Sequence, residues 1–146
     1  MQNSLRKKKV AIVAGIFVAL LACSIVAVAS SRTSMNNLRV ILLAAVATGW
    51  DFREQANSGY LEEGDYRVIS TTLYSGTRYK ILAAGDETVR DLDILLYDEN
   101  KRLIDQDQGT DAVPIVEVTP RWTGTFYVAV RMHRGYGYSS VAVCYK

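Results

Sequence analysis

With 146 residues, 49% of them hydrophobic and 22% charged, the chain has room for one folded core and is too apolar to be a disordered tail. The formal net charge is +2, but four of the 17 basic residues (Arg6, Lys7, Lys8 and Lys9) crowd the N-terminus, leaving 13 bases against 15 acids in the remainder. That remainder has no basic patch, which excludes nucleic acid as a partner on charge grounds.

Residues 1–9 carry those four positive charges and no acid, and Val10 to Ala29 is apolar except at Gly15, Cys23 and Ser24. Ala27-Val28-Ala29 supplies the small-x-small step of a signal peptidase site, ahead of Ser30 and Ser31. A basic n-region, an apolar h-region and this step predict a secretory signal on residues 1–29, cleaved after Ala29. Two other readings stay open. The 20 residues Val10 to Ala29 also suffice to span a bilayer as an anchor, its basic end in the cytoplasm. Leu20-Leu21-Ala22-Cys23 is a passable lipobox that would place a lipid on Cys23, although the residues after it stay apolar. All three readings export the rest of the chain, periplasmic or secreted, and let it touch a membrane only through this segment. Without the segment, Cys144 is the lone cysteine, so the fold is expected not to depend on an internal disulfide.

Residues 30–59 read as a helix and a linker. Ser34 is a candidate cap, and Leu38, Ile41, Leu42, Ala45 and Val46 recur on one face until Gly49 offers a stop. The spacing predicts one amphipathic helix over about 35–48.

From residue 60 to 146 the period changes to two. Ile69, Thr71 and Leu73 alternate, then Tyr79, Ile81 and Ala83, then Leu92, Ile94 and Leu96. Val116 and Val118 follow, then Phe126, Val128, Val130 and Met132, then Val141, Val143 and Tyr145. Turn residues separate these runs at Ser75-Gly76, Gly85-Asp86, Asp98-Glu99-Asn100, Gly109, Thr123-Gly124 and Gly135. Short alternating strands at this spacing predict an all-β fold, an antiparallel β-sandwich of jelly-roll or immunoglobulin-like form, preceded by the amphipathic helix and the N-terminal signal or anchor. On the opposite strand faces, Leu95, Tyr97, Ile115 and Tyr127 would form an apolar patch on the outside. The helix carries a matching apolar stripe and is expected to cover that patch.

An ordered set of short motifs in residues 60–146 is similar to the bacterial pre-peptidase C-terminal domain. The set begins with Leu61-Glu62-Glu63-Gly64 before the first strand and Gly76-Thr77-Arg78-Tyr79 at a strand entry. It continues with Asp91-Leu92-Asp93-Ile94-Leu95-Leu96-Tyr97-Asp98 and an acidic loop from Asp105 to Asp111. Pro114 to Pro120 and Thr123-Gly124-Thr125-Phe126-Tyr127-Val128-Ala129-Val130 complete it. The resemblance implies a β-sandwich of the kind attached to secreted proteases and also found alone, with targeting or adhesion roles.

Three kinds of site are candidates. Asp86, Asp91, Asp93, Asp105, Asp107 and Asp111 cluster around two neighbouring loops and could supply oxygens to calcium, which some members of the resembled family bind. No EF-hand spacing is present, and the alternative is that these acids build Asx-turns. Calcium is the one cofactor the sequence raises. His133 is the only histidine, so any Ser-His-Asp hydrolase would have to use it, and no nucleophile elbow accompanies it. A recognition surface is the third: Arg131, His133, Arg134, Tyr136 and Tyr138 fall in one loop-like stretch and Trp122 in another. The reading that follows is a non-catalytic accessory, binding or targeting module whose partner is a protein, a peptide or an envelope polymer. The runner-up is a structural envelope protein stabilised by calcium, and a hydrolase stands third.

Overall fold

The computed structural model describes residues 31–53 and 57–146. The segment bearing Cys23, Ala27 and Ala29 lies outside these residues. Among the described residues no helix is long and apolar enough to cross a membrane.

Helix α1 occupies residues 31–47. The strands are β1 (Asp51–Phe52), β2 (Asn57–Leu61), β3 (Tyr66–Leu73), β4 (Tyr79–Gly85), β5 (Val89–Tyr97), β6 (Leu103–Asp107), β7 (Ile115–Val118), β8 (Gly124–Gly135) and β9 (Gly137–Tyr145). They form two antiparallel sheets. The first runs β1-β9-β4-β7, with β2 also paired to β9, and the second runs β3-β8-β5-β6. From β2 to β9 the chain changes sheet at every connection except β5 to β6, so the connections themselves hold the two sheets face to face. The expected β-sandwich is the fold.

Period two dictates which side chains meet between the sheets. Tyr79, Ile81 and Ala83 of β4 and Val141 of β9 face Leu92, Ile94 and Leu96 of β5 and Phe126, Val128, Val130 and Met132 of β8. Burying each large apolar side chain contributes about 1.5–3 kcal/mol relative to exposing it, so this layer is the main favourable term in the fold.

The first sheet is apolar on its other side as well. Leu82 and Ala84 of β4 and Ala142 and Cys144 of β9 point outward, and Leu38, Leu42, Ala45 and Trp50 close over them. The helix therefore covers the outer face of the first sheet and not the patch of Leu95, Tyr97, Ile115 and Tyr127 where the sequence placed it. Side-chain size explains the choice. Ala84, Ala142 and Cys144 are short enough for a helix to approach closely, whereas standing tyrosines would hold it off. Ile115 leaves the patch too, because β7 belongs to the first sheet.

Polar contacts fix the docking. Asn37 Nδ2 donates to the Gly85 carbonyl at 2.9 Å, and Ser34 Oγ meets Ser140 Oγ at 2.9 Å. Ser34 is thus not the cap expected of it: the helix already runs through it, and its hydroxyl donates to the Ser31 carbonyl at 3.0 Å. At the other end Gly49 is the stop, with φ 85°. Its N–H bonds Val46 O at 2.9 Å and the N–H of Trp50 bonds Ala45 O at 3.2 Å, a Schellman closure that turns Trp50 back onto the sheet. Lys80 Nζ lies 4.6 Å from the centroid of the Trp50 ring and completes the seal.

Two expected loops are partly strands. Asp105 and Asp107 lie in β6, because β6 closes a hairpin on β5 and the two carboxylates reach across the corner to β7. Asp105 accepts from the Glu117 N–H at 3.2 Å and Asp107 from the Ile115 N–H at 2.8 Å. The stretch Met132–Tyr138 is likewise no loop. β8 runs to Gly135 and β9 starts at Gly137, leaving Tyr136 alone between them. Gly135 (φ 98°) and Gly137 (φ 136°) make this reversal possible, since an L side chain rarely adopts either value.

Candidate binding face

Among the described residues no helix lies over the outer face of the second sheet. Its register sets three rows of side chains across β3, β8 and β5. Ser70 stands beside Tyr127 and Tyr97, Val68 beside Ala129 and Leu95, and Tyr66 beside Arg131 and Asp93. Ala129 is the small residue at the centre, so the middle row forms a floor between walls of tyrosine. The result is an open groove of about 710 Å³ lined by Tyr66, Val68, Leu95, Tyr97, Lys101, Tyr127, Ala129 and Arg131. Tyr66 is 69% exposed and Val68 53%. Apolar groups this accessible on one contiguous face are the mark of an interaction surface.

Lys101 reaches the rim from the β5–β6 turn. It has φ 61°, the one non-glycine residue with positive φ among those described. The buried Asp98 holds that turn. Its carboxylate accepts from the N–H groups of Asn100 (2.8 Å) and Arg102 (2.9 Å) and pairs with Arg102 Nε at 2.8 Å. Burial pushes the Asp98 carboxyl up, but these donors outweigh it and leave its pKa below the ordinary value.

Beyond the groove on the same face lie Asp91, Asp93 and His133. Asp91 and Asp93 are buried, and Asp91 Oδ1 and Asp93 Oδ2 have no hydrogen-bond partner among the described residues. His133 Nδ1 sits 3.7 Å from Asp93 Oδ2, an ion pair only when the imidazole is protonated. Burial raises the Asp93 pKa, Asp91 and Asp107 raise it further, and His133 and Arg131 oppose them. A carboxyl raised by folding favours the neutral form. Its contribution is fully present below the unfolded value, near 3.9, and is lost as pH rises through the folded value. Asp93→Asn is therefore expected to raise the melting temperature at pH 7, with the gain shrinking toward zero at pH 3. Thermal melts of both proteins across that range check this, and a loss of stability at pH 7 contradicts it.

The six aspartates proposed for calcium are not brought into one ligand set. Asp86 accepts from the N–H groups of Thr88 and Tyr138, both at 2.9 Å. Asp105 and Asp107 tie β6 to β7, and Asp111 accepts from the Val113 N–H at 2.7 Å. Among the described residues no three His, Cys, Asp or Glu side chains gather closely enough to hold a metal. Of the six, Asp91 and Asp93 are the two with a buried carboxylate oxygen that finds no hydrogen-bond partner among the described residues.

The proposed recognition residues disperse as well. Arg131 lines the groove, and His133 faces Asp93. Arg134 is exposed and registers with Asp91, while Tyr136 stands at the sheet-to-sheet reversal. Tyr138 packs edge-on against Tyr60 with ring centroids 5.5 Å apart. Trp122 stacks on Phe126 at 5.7 Å and donates Nε1–H to Glu99 at 2.9 Å, closing the end of the core. Tyr66, Val68 and Lys101 escaped the sequence reading. Tyr66 and Val68 were findable, since they alternate opposite Ile69. The rim position of Lys101 depends on a turn conformation that its residue type does not announce.

No protein-family model and no curated protein matches the chain. Solved structures do. The pre-peptidase C-terminal domain of a collagenase from Bacillus anthracis is 18% identical with a TM-score of 0.50, over 61% of this chain and 87% of that one. A periplasmic inhibitor of g-type lysozyme from Aeromonas hydrophila is 14% identical with a TM-score of 0.48, over 68% of this chain and 90% of that one. A mitogen from Yersinia pseudotuberculosis is 12% identical with a TM-score of 0.49, over 61% of this chain and 82% of that one. The likeness to the pre-peptidase C-terminal domain is one of fold, and at that level the resemblance carried by the sequence motifs is met.

Proposed function

We propose that the protein is an exported, non-catalytic β-sandwich module that meets its partner in the cell envelope through the open tyrosine face of its second sheet. One observation carries this reading. Both sheets carry apolar side chains on their outer faces, yet helix α1 covers one, and among the described residues nothing covers the other. Export is supported by the basic start, apolar run and Ala27-Val28-Ala29 step, and the intact mass of the exported protein separates cleavage, anchoring and lipidation at Cys23. The non-catalytic reading draws support from His133, the single histidine, whose one ion pair among the described residues is with the buried Asp93.

The test is co-sedimentation of the purified protein with isolated cell envelopes. The variant Tyr97→Ala/Tyr127→Ala, with an unchanged circular dichroism spectrum, is expected to be retained at least about tenfold less, the size of a lost aromatic anchor. Equal retention of variant and wild type ends the reading.

A second reading, a structural protein held by calcium, draws support from the orphaned oxygens of Asp91 and Asp93. A ligand of the native state must raise apparent stability, so melting unchanged by calcium or by chelator ends it.

A further inference from the structure

The groove offers an occupant ring faces with their hydroxyls, an aliphatic floor of Val68, Leu95 and Ala129, and two positive charges. The main-chain groups of its central strand β8 are taken up by β3 and β5, and the free edge of β3 lies in the plane of the sheet, at the side of the groove and not on its floor. Recognition has to come from side chains. Tyr66, Tyr97 and Tyr127 present flat apolar rings with a hydroxyl at the tip, suited to ligands that alternate apolar faces with hydrogen-bonding edges.

Charge narrows the choice. The charged lining residues are Lys101 and Arg131, both exposed and both cationic. Neither makes a side-chain hydrogen bond or ion pair among the described residues. Asp93 is beside Arg131, but it is 1% exposed and its Oδ2 accepts no hydrogen bond. The two cations stand at opposite ends, Lys101 beyond Tyr97 and Arg131 four residues along β8 from Tyr127. At ~3.3 Å per residue the groove is about 13 Å long. A single acid group meets one cation, while a polymer with acids at intervals meets both.

We infer that the tyrosine face binds an anionic polysaccharide, with sugar rings laid on Tyr66, Tyr97 and Tyr127 and acid groups against Lys101 and Arg131. This rests on the reading that the face is where the module meets its partner, and it names that partner's chemistry.

The experiment is calorimetric titration of the purified protein with oligosaccharides of polygalacturonate, alginate and hyaluronan, their carboxyl-reduced neutral forms, and polyglutamate. At least one acidic oligosaccharide is expected to bind, with its neutral form and polyglutamate each at least about tenfold weaker. Tyr127→Ala should weaken binding about tenfold or more, and Lys101→Gln/Arg131→Gln should abolish the preference for the acidic form. The second variant changes only exposed side chains and keeps the test valid if the first fails to fold. Three results overturn the inference: no binding of any of the three, equal binding of neutral forms, or equal binding of polyglutamate. If envelope retention still depends on Tyr97 and Tyr127 while one of these results holds, the module reading survives and only the polysaccharide is lost. If retention ignores the tyrosines, the module reading falls with it.

Discussion

Replacing Phe126 by Ala is expected to cost about 3–5 kcal/mol, the range for emptying a buried aromatic site that cannot collapse. Phe126 is 1% exposed and lies in the layer between the sheets. Collapse is blocked on two sides. Thr71 of β3 holds its backbone in register, and Trp122, stacked on its ring, is itself pinned by its bond to Glu99. The vacated volume should therefore stay largely empty. In a domain of this length 1 kcal/mol moves melting by about 2–8 °C, so a fall of at least about 6 °C is expected in a thermal melt. Urea denaturation gives the free energy directly, and a loss under about 1 kcal/mol would mean that this ring is not in the core.

Leu38→Asp should separate the helix from the sandwich. Leu38 is fully buried against Leu82, Ala84, Ala142 and Cys144. An aspartate there loses at least the ~2–5 kcal/mol of a deleted leucine and adds an unpaired charge. The core between the sheets does not use Leu38, so the strands should keep their structure while the helix opens locally. Cys144 reports this. Burial keeps its thiol pKa above the ordinary value, with Lys80 only partly opposing, so in the wild type it is shielded and protonated at neutral pH. Thiol labelling at pH 8, read at Cys144 by peptide mass so that Cys23 does not interfere, should be slow in the wild type and fast in the variant. Leu43→Asp, at a position 71% exposed, should label like the wild type. Equal labelling of Leu38→Asp and the wild type would show that the helix does not cover this cysteine.

Legibility followed the physics of each element. Inward rows such as Leu92, Ile94 and Leu96 were plain because period two has no other reading in so short a run. The helix was plain from its own period, with Leu38, Ile41, Leu42, Ala45 and Val46 at the 3.6-residue spacing of one helical face. Its docking site was not, although a signal existed. Ile81-Leu82-Ala83-Ala84 and Val141-Ala142-Val143-Cys144 are apolar at every position, which marks strands covered on both sides. The alternation of Asp93, Leu95 and Tyr97 drew the eye instead. Strand β6 was hidden because Asp105 and Asp107 lower strand propensity, and only the tertiary corner with β7 gives their carboxylates amides to accept from. The groove was half legible. Leu95, Tyr97 and Tyr127 could be read from alternation, but its floor at Ala129 and its rim at Lys101 follow from register and from a left-handed turn, and neither is written in local sequence.

The helix covers one outer face and, among the described residues, the tyrosines are left open on the other, and the proposed binding depends on this division. Hydroxyl-radical footprinting of the purified protein tests it most directly. Tyr66 and Val68 should oxidise at the rates of exposed residues while Leu42, Trp50 and Leu82 stay protected. Protection of Tyr66 and Val68 together with oxidation of Leu82 and Trp50 would place the helix on the tyrosine face and contradict the account.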